Sequence, residues 1–248
     1  MGVLSKLESG EEWTKERVFK EASKIEGWFS PGNMETVAWL VKEFSRPQGR
    51  MLEIGVWKGR SAFVFAGMSR VLYGQYPPTL FLIDTFAGSV DQEDYSNAGL
   101  YAEAANGSAK LLEKLVESLE PFTDHRHILV GSSRKYANYF YPGTLDVVFI
   151  DGDHYEPSIS ADIREYWPAV RPGGVMCGHD FYESDVGPAV IRAFGSQTVQ
   201  VQENIWIRKK GQEDEDLLPL RTYPSPAVLP PGMGRVLDMR GEDDRAPL

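Results

Sequence analysis

The sequence predicts an α/β protein built on a doubly wound, mostly parallel sheet with helices on both faces. Short apolar runs rich in β-branched and aromatic residues alternate along the chain with longer amphipathic stretches. Continuous apolar strands alternating with helices are typical of a parallel sheet that is covered on both sides. Near residue 200, two strands in which apolar and polar residues alternate are joined by a tight turn. They predict a β-hairpin, whose two strands run antiparallel to each other. We therefore expect seven strands, one of them antiparallel to the others.

The apolar pattern places each element. Five strands are predicted at Met51–Ile54, Leu80–Ile83, His127–Val130, Val147–Ile150 and Val175–Cys177, and the hairpin at Thr198–Gln202 and Ile205–Arg208. Helices are predicted near Ser61–Tyr73, Tyr101–Leu119, Arg134–Phe140 and Ser158–Val170. Apolar residues at three- and four-residue steps predict helix from Glu11 to Glu43, interrupted at Pro31.

Composition divides the chain into three parts. Residues 1–45 are expected to form a helical cap, residues 46–210 the α/β domain, and residues 211–248 an acidic, proline-rich tail. The tail contains the charge run Glu213–Asp216 and several prolines without periodicity, so it is expected to be largely irregular.

Charge and cysteine content limit the class of protein. The formal net charge is -10, which argues against nucleic acid as a partner because such proteins cluster basic residues. The single cysteine excludes a disulfide framework and favours a reducing compartment. No apolar run approaches the roughly 20 residues that span a bilayer, and residues 1–10 lack a secretory signal. These features predict a cytoplasmic protein with neither a nucleic-acid nor a membrane partner.

A glycine turn follows the first strand, and ligands of parallel sheets bind at this edge. Gly55 permits close approach of a ligand to the backbone, and Gly59 opens the helix that contains Ser61. Trp57 stands where a dinucleotide-binding turn has its second glycine, which disfavours an NAD-dependent oxidoreductase. Ordinary packing of a strand against a helix remains the alternative explanation of this turn.

Polar residues also follow the second and third strands. Asp84, followed by Thr85, is placed to bind the two hydroxyls of a ribose, and a loop or helix-capping carboxylate is the alternative. The position of Asp84 in register with the glycine turn favours the nucleoside. Ser132 and Ser133 are candidates for contact with a base edge, or an ordinary helix cap.

The fourth and fifth strands are followed by ionisable residues. These are Asp151, Asp153, His154 and Glu156 after the fourth strand, and His179 and Asp180 after the fifth. Such clustering is costly unless a cation or a substrate proton is handled there. Asp151, His179 and Asp180 are a candidate set for Mg²⁺, Ca²⁺ or Mn²⁺; an acid–base pair without metal, or loop caps, are the alternatives. His154 is suited to take a proton at neutral pH, since the ordinary pKa of imidazole is ~6.5.

Together these motifs resemble the class I S-adenosylmethionine-dependent methyltransferases. The resemblance is carried by Leu52–Gly59, Asp84, Val147–Glu156 with its Asp-Gly-Asp-His sequence, and Arg171–Gly174. The branch with this signature includes macrolide-sugar O-methyltransferases and is related to catechol-type enzymes, and the resemblance covers about residues 25–210. It implies a Rossmann-like sheet whose last strand is reversed, and S-adenosylmethionine as cofactor.

The resemblance also implies roles for individual residues. Glu53 and the turn from Gly55 through Gly59 to Ser61 would hold the methionine part of the cofactor, Asp84 with Thr85 the ribose, and Ser132 and Ser133 the adenine, with Asp151 beside them. Metal-using relatives have ligands at positions that correspond here to Asp151, His179 and Asp180, and His154 matches the catalytic lysine of the catechol-type enzymes. His179 departs from the family, in which relatives commonly carry a carboxylate.

The function expected from the resemblance is transfer of a methyl group to a hydroxyl of a small molecule. His154 and Asp151 are the candidate catalytic residues, and Mg²⁺ or another divalent cation is a candidate second cofactor. The alternatives are a non-catalytic protein that binds S-adenosylmethionine or a nucleoside on the same fold, and an N- or C-methyltransferase. The segment Phe86–Gly99 and the region Trp28–Pro31 are expected to close over the acceptor, and a flexible surface loop is the alternative for the segment. A homo-oligomer is the candidate assembly.

Overall fold

The computed structural model describes residues 12–87 and 108–212, and its centre is one sheet. The strands are β1 (Arg50–Ile54), β2 (Thr79–Asp84), β3 (Arg126–Val130), β4 (Leu145–Ile150), β5 (Val170–Gly178), β6 (Gln200–Gln202) and β7 (Ile205–Lys209). They form a seven-stranded sheet of order β3-β2-β1-β4-β5-β7-β6. The first five strands are parallel, and β7 runs antiparallel to both of its neighbours. The predicted fold class, with its single reversed strand, is confirmed.

The helices lie between the strands as the pattern predicts, with one exception. They are α1 (Lys15–Ala22), α2 (Pro31–Phe44), α3 (Arg60–Tyr73), α4 (Ser108–Ser118), α5 (Ser133–Tyr136), α6 (Ser158–Tyr166) and α7 (Val186–Phe194), with 3-10 turns at Glu120–Phe122, Ala137–Tyr139 and Trp167–Ala169. The interruption predicted at Pro31 lies instead at residues 23–30, because Pro31 begins α2, where its missing N–H costs nothing. Helix α7 was not predicted. Residues 101–107 of the helix predicted at Tyr101–Leu119 lie outside the described residues.

Two apolar clusters cover the two faces of the sheet. Consecutive residues of β1 point to opposite faces, so Met51 packs with one cluster and Leu52 with the other. The first cluster takes buried side chains from α1, α2, α3 and α4, and the second takes them from α5, α6 and α7. Because both faces are covered, ligands have access at the edge where the parallel strands end.

The turns after β1 and β4 approach each other closely at this edge. Gly55 has a φ of +79°, and a Cβ atom added to it would lie 2.1 Å from the carbonyl oxygen of Asp151. The backbone N–H of Asp151 donates to the carbonyl oxygen of Ile54 at 2.7 Å. A side chain at position 55 would therefore separate the two turns.

The boundaries proposed for the cap, the domain and the tail remain predictions. Helices α1 and α2 contribute to the same apolar cluster as α3 and the sheet. Residues 213–248 of the predicted tail lie outside the described residues. In the part of the chain that is described, no helix has the length and apolarity needed to cross a bilayer.

Candidate active site

A cavity of about 610 Å³ lies at the carboxyl ends of β1 to β5. Most of the residues singled out in the sequence line it: Gly55, Ser61, Asp84, Thr85, Ser132, Ser133, Asp151, His154, His179 and Asp180. Glu53 and Gly59 are not on its wall. The turns after five neighbouring strands thus surround one space, which is large enough for a cofactor and part of a second molecule.

Asp84 holds the glycine turn. Its Oδ2 accepts hydrogen bonds from the backbone N–H groups of Val56 at 2.7 Å and Trp57 at 2.8 Å, and its Oδ1 accepts one from Phe86 at 2.6 Å. Trp57 is held at a positive φ of 48°. The sequence suggested contact with a ribose and did not reveal this structural role. Because a carboxylate has about four lone-pair positions, Asp84 retains capacity for a ligand in the cavity.

Glu53 lies behind the cavity wall. It is completely buried, Ser61 Oγ donates to its Oε1 at 2.5 Å, and its Oε2 has no hydrogen-bond partner. Burial raises the pKa of Glu53 well above its ordinary value, although the hydrogen bond from Ser61 lowers it. The negative charges of Asp151 and Asp84 raise the pKa further. Glu53 therefore orients Ser61, which does line the cavity.

Gly59 serves packing. Its φ is +87°, and a Cβ atom there would lie 2.4 Å from a methyl carbon of Leu115 on α4. Gly59 therefore allows α3 to begin close beneath α4, away from the cavity wall.

At the β3 end of the cavity, Ser133 is bonded to a carboxylate that the sequence analysis did not single out. Ser133 Oγ donates to Asp162 Oδ1 on α6 at 2.5 Å, and burial raises the pKa of Asp162 to about 6. The sequence held a signal, because Asp162 shares its helix face with the buried residues Ile159, Ile163 and Tyr166. A charged residue within an apolar stripe indicates a partner or a ligand.

Asp180 bridges two histidines at the opposite end of the cavity. Its Oδ2 lies 3.0 Å from His154 Nε2, and its Oδ1 lies 3.1 Å from His179 Nδ1 and 3.0 Å from the donating Nδ2 of Asn204. Asp180 has a positive φ of 56°. Burial alone would raise the pKa of Asp180, but hydrogen bonds from His154 and His179 outweigh burial and hold the pKa below its usual range. Asp180 is therefore an anion between two rings.

His179 is held from two sides. Its Nε2 lies 2.6 Å from Asn33 Nδ2 on α2, and its Nδ1 faces Asp180 and lies 3.6 Å from Asp151 Oδ1. Burial lowers the pKa of His179, but the hydrogen bond to Asp180 and the charges of Asp151 and Asp180 raise it above its ordinary value. Asn33 is a further residue that the sequence analysis missed.

Three residues have ligand atoms close enough to share a metal ion. One atom from each of Asp151, His154 and Asp180 lies within 4.8 Å of the others. This group contains His154, whereas the set drawn from the sequence contains His179. Burial raises the pKa of Asp151 to about 6, while the charge of His179 opposes that rise.

The segment between α1 and α2 forms a further wall of the cavity, at Glu26–Phe29. Arg60 Nε donates to the carbonyl oxygen of Ile25 at 2.6 Å, and Arg60 Nη1 donates to that of Phe29 at 3.1 Å. Lys58 pairs with Glu26 at 2.6 Å. Trp28 and Phe29 of the region Trp28–Pro31 thus lie on the cavity wall, and closure of this region over the acceptor stays a prediction. Of the segment Phe86–Gly99, only Phe86 and Ala87 are described.

Comparison with known proteins identifies the family. Residues 52–181 match the family described as "Methyltransferase domain", which is more than half of the chain. The uncharacterized protein y4gI of Sinorhizobium fredii is 24% identical over 142 residues, which are 57% of this chain, and the chain spans 14% of the length of that relative.

Solved structures with the same fold include methyltransferases. The O-methyltransferase NovP is similar with a TM-score of 0.52 and 19% identity, covering 73% of this chain and 80% of NovP. The methyltransferase MycE from the mycinamycin biosynthetic pathway, in complex with Mg, SAH and mycinamycin VI, is similar with a TM-score of 0.51 and 14% identity, covering 83% of this chain and 57% of MycE.

The sheet order, the glycine turn and the family match agree with each other. The chain belongs to the methyltransferase domain family. The resemblance to class I S-adenosylmethionine-dependent methyltransferases, which rested on the motifs after the strands, is confirmed.

Proposed function

We propose that this protein transfers the methyl group of S-adenosylmethionine to a hydroxyl oxygen of a small molecule. The observation that carries the proposal is that a single cavity joins the glycine turn and Asp84 to the pair formed by His154 and Asp180. The first part is suited to a nucleoside, and the second is suited to remove a proton. The similarity in fold to NovP, an O-methyltransferase, supports the choice of oxygen as acceptor.

The cofactor is assigned to the turns after β1, β2 and β3. We place its methionine part at Gly55 and Ser61, the latter oriented by Glu53, and its ribose at Asp84 and Thr85. The adenine lies at Ser132 and Ser133. This order follows the edge of the sheet, and it would direct the methyl group on the sulfonium sulfur toward Asp151 and the residues after β5, which line the same cavity.

The proposed chemistry is a single displacement. The acceptor oxygen forms a bond to the methyl carbon while the bond from that carbon to sulfur breaks, and the electron pair of the broken bond stays on sulfur. The enzyme aligns the two molecules and removes the hydroxyl proton. His154 takes this proton, and the anionic Asp180 at 3.0 Å stabilises the imidazolium that forms.

The donor set at this end of the cavity fits a divalent cation. Two carboxylates, Asp151 and Asp180, offer the oxygen ligands that Mg²⁺ and Mn²⁺ prefer. When bound there, such an ion would lower the pKa of the acceptor hydroxyl. We assign the two carboxylates to the ion and His154 to the proton. The assignment of His179 as a further ligand stays a prediction.

The remaining expectations concern partners and location. We infer that the acceptor is a small hydroxylated molecule, in keeping with the size of the cavity. A cytoplasmic location, the absence of a nucleic-acid partner and assembly into a homo-oligomer stay predictions from the sequence.

The test is release of S-adenosylhomocysteine from S-adenosylmethionine over matched panels of phenols, sugars and amines, with a reaction lacking acceptor as control. We expect release with at least one hydroxyl compound and a methyl ether as its product. Turnover with amines alone would contradict transfer to oxygen. Binding of S-adenosylhomocysteine in calorimetry without turnover on any panel would favour a non-catalytic binding protein.

A further inference from the structure

Asp162 is a carboxylate that faces the cavity and has no part in the chemistry above. Asp162 is only 5% exposed to solvent, yet it lines the cavity wall. A buried carboxylate without a function is destabilising, because burial disfavours its charged form. A ligand that donates a hydrogen bond to it would account for its presence.

One oxygen of Asp162 is fixed and the other is available to a ligand. Oδ1 accepts the hydrogen bond from Ser133 Oγ, and Tyr166 on the same helix donates to the carbonyl oxygen of Ser133 at 2.6 Å. These two bonds lock α6 to the turn after β3. Within residues 12–87 and 108–212, Oδ2 of Asp162 accepts no hydrogen bond.

We propose that Asp162 recognises the base of the cofactor by accepting a hydrogen bond from the exocyclic amino group of adenine, an inference that rests on the proposed function. The ribose of the cofactor is assigned to Asp84, at the end of β2. The backbone N–H of Gly131, after β3, donates to the carbonyl oxygen of Asp84 at 2.8 Å, so the two strand ends are adjacent. A base attached to that ribose extends toward β3, where Ser133 and Asp162 lie.

The chemistry of the two groups explains selectivity. An ionised carboxylate only accepts hydrogen bonds. The amino group of adenine donates them, whereas hypoxanthine and guanine present a carbonyl oxygen at the same position. When the buried Asp162 carboxylate faces such a carbonyl oxygen, it has no hydrogen bond and the two oxygens repel each other. Buried polar groups left unpaired in this way allow a site to discriminate strongly between ligands. The charged groups around Asp162 are Glu165, Asp153 and Arg134.

The experiment measures dissociation constants for two ligands at pH 8 by calorimetry. The ligands are S-adenosylhomocysteine and S-inosylhomocysteine, in which a carbonyl oxygen replaces the amino group. For the wild-type protein we expect S-adenosylhomocysteine to bind more tightly by roughly 30-fold or more. For Asp162→Asn the amide oxygen accepts from Ser133, so the amide nitrogen faces the ligand as a donor, and we expect the preference for S-adenosylhomocysteine to be lost or reversed. Glu165→Gln, on the same helix but off the cavity wall, should keep the wild-type ratio.

Failure of the role of Asp162 and failure of the proposed function give different results. A wild-type ratio near unity, which needs no variant, overturns the assignment of Asp162. So does an Asp162→Asn protein that retains the wild-type ratio. In both cases tight binding of S-adenosylhomocysteine would leave the proposed function standing. If the wild-type protein binds neither ligand, the proposed function fails and the role of Asp162 fails with it.

Discussion

The carboxylate of Asp180 lies 3.0 Å from Nε2 of His154 and joins the turn after β4 to the turn after β5. The two residues are brought together because β4 and β5 are parallel neighbours whose carboxyl ends meet at one edge. This pairing gives the chain an imidazole with an anionic partner beside the assigned position of the reacting methyl group.

The role of that anion is tested by Asp180→Asn. Asn tolerates the positive φ of 56° at this position, so the backbone should be retained while the charge is lost. Without the charge, the imidazolium of His154 is no longer stabilised and the assigned cation loses one of its two carboxylates, so we expect kcat/KM to fall about 100-fold or more. Steady-state rates and calorimetry check this. A loss of less than threefold would show that the charge of Asp180 is dispensable.

The close approach of the β1 and β4 turns is tested by Gly55→Ala. Its matched control is Gly195→Ala, because both glycines have a φ of +79° and a Cβ atom at Gly195 would meet nothing within 4 Å. We expect Gly55→Ala to lower the free energy of unfolding by about 2 kcal/mol more than the control, because it displaces the backbone of Asp151. Urea denaturation measures both. Equal losses would mean that only the backbone conformation matters.

Asp162 predicts a pH-dependent difference in stability. Burial raises its pKa from 3.8 to about 6 in the folded protein, so its charged form opposes folding. This penalty is absent below about pH 4, grows as the pH rises to about 6, and is then constant at about 3 kcal/mol. Asp162→Asn removes it, while the amide oxygen still accepts from Ser133. We therefore expect the variant to be more stable than wild type above pH 6 and equal to it near pH 4.

Denaturant titrations of the two proteins at pH 4, 5, 6 and 7 measure this difference. Other carboxylates titrate in both proteins and cancel. A difference that does not vary with pH would contradict the buried environment described for Asp162.

Metal removal tests the two carboxylates. After EDTA treatment we expect Mg²⁺ or Mn²⁺ to raise the rate of methyl transfer about tenfold or more. Asp151→Asn should abolish this response. His154→Ala should keep the affinity for Mn²⁺, because His154 is assigned to the proton and not to the ion. Equal rates with and without the ion would refute the metal site, and a loss of Mn²⁺ affinity in His154→Ala would make His154 a ligand.

The strand ends were predictable from the sequence, and so was much of the candidate site. Apolar runs locate the carboxyl ends of parallel strands, and every side chain that follows them is then placed at one edge. For this reason Asp84, Asp151, His154 and Asp180 were found without knowledge of the packing. Helix α7 was missed because it is short and has Gly187 and Pro188 in its first turn.

The supporting residues could not be found in the same way. Asn33 is 146 positions from His179 along the chain, and Asn204 is 24 positions from Asp180. Their contacts depend on how α2 and the β6–β7 turn pack over the sheet, which local patterns do not specify. Likewise, nothing in the sequence shows that Asp84 binds the backbone of the glycine turn. That role follows from the parallel pairing of β1 with β2, which brings Asp84 beside the glycine turn, and from the left-handed conformation of Trp57.

In the proposed mechanism His154 removes the acceptor proton and has no part in holding the cofactor. His154→Ala tests it most directly, with His127→Gln, which lies on β3 away from the cavity wall, as the control. The measurement is the rate of S-adenosylhomocysteine release together with the calorimetric affinity for S-adenosylhomocysteine. We predict that His154→Ala loses transfer while its affinity stays within about threefold of wild type. Transfer at the wild-type rate, or loss of affinity in proportion to the rate, would contradict the account.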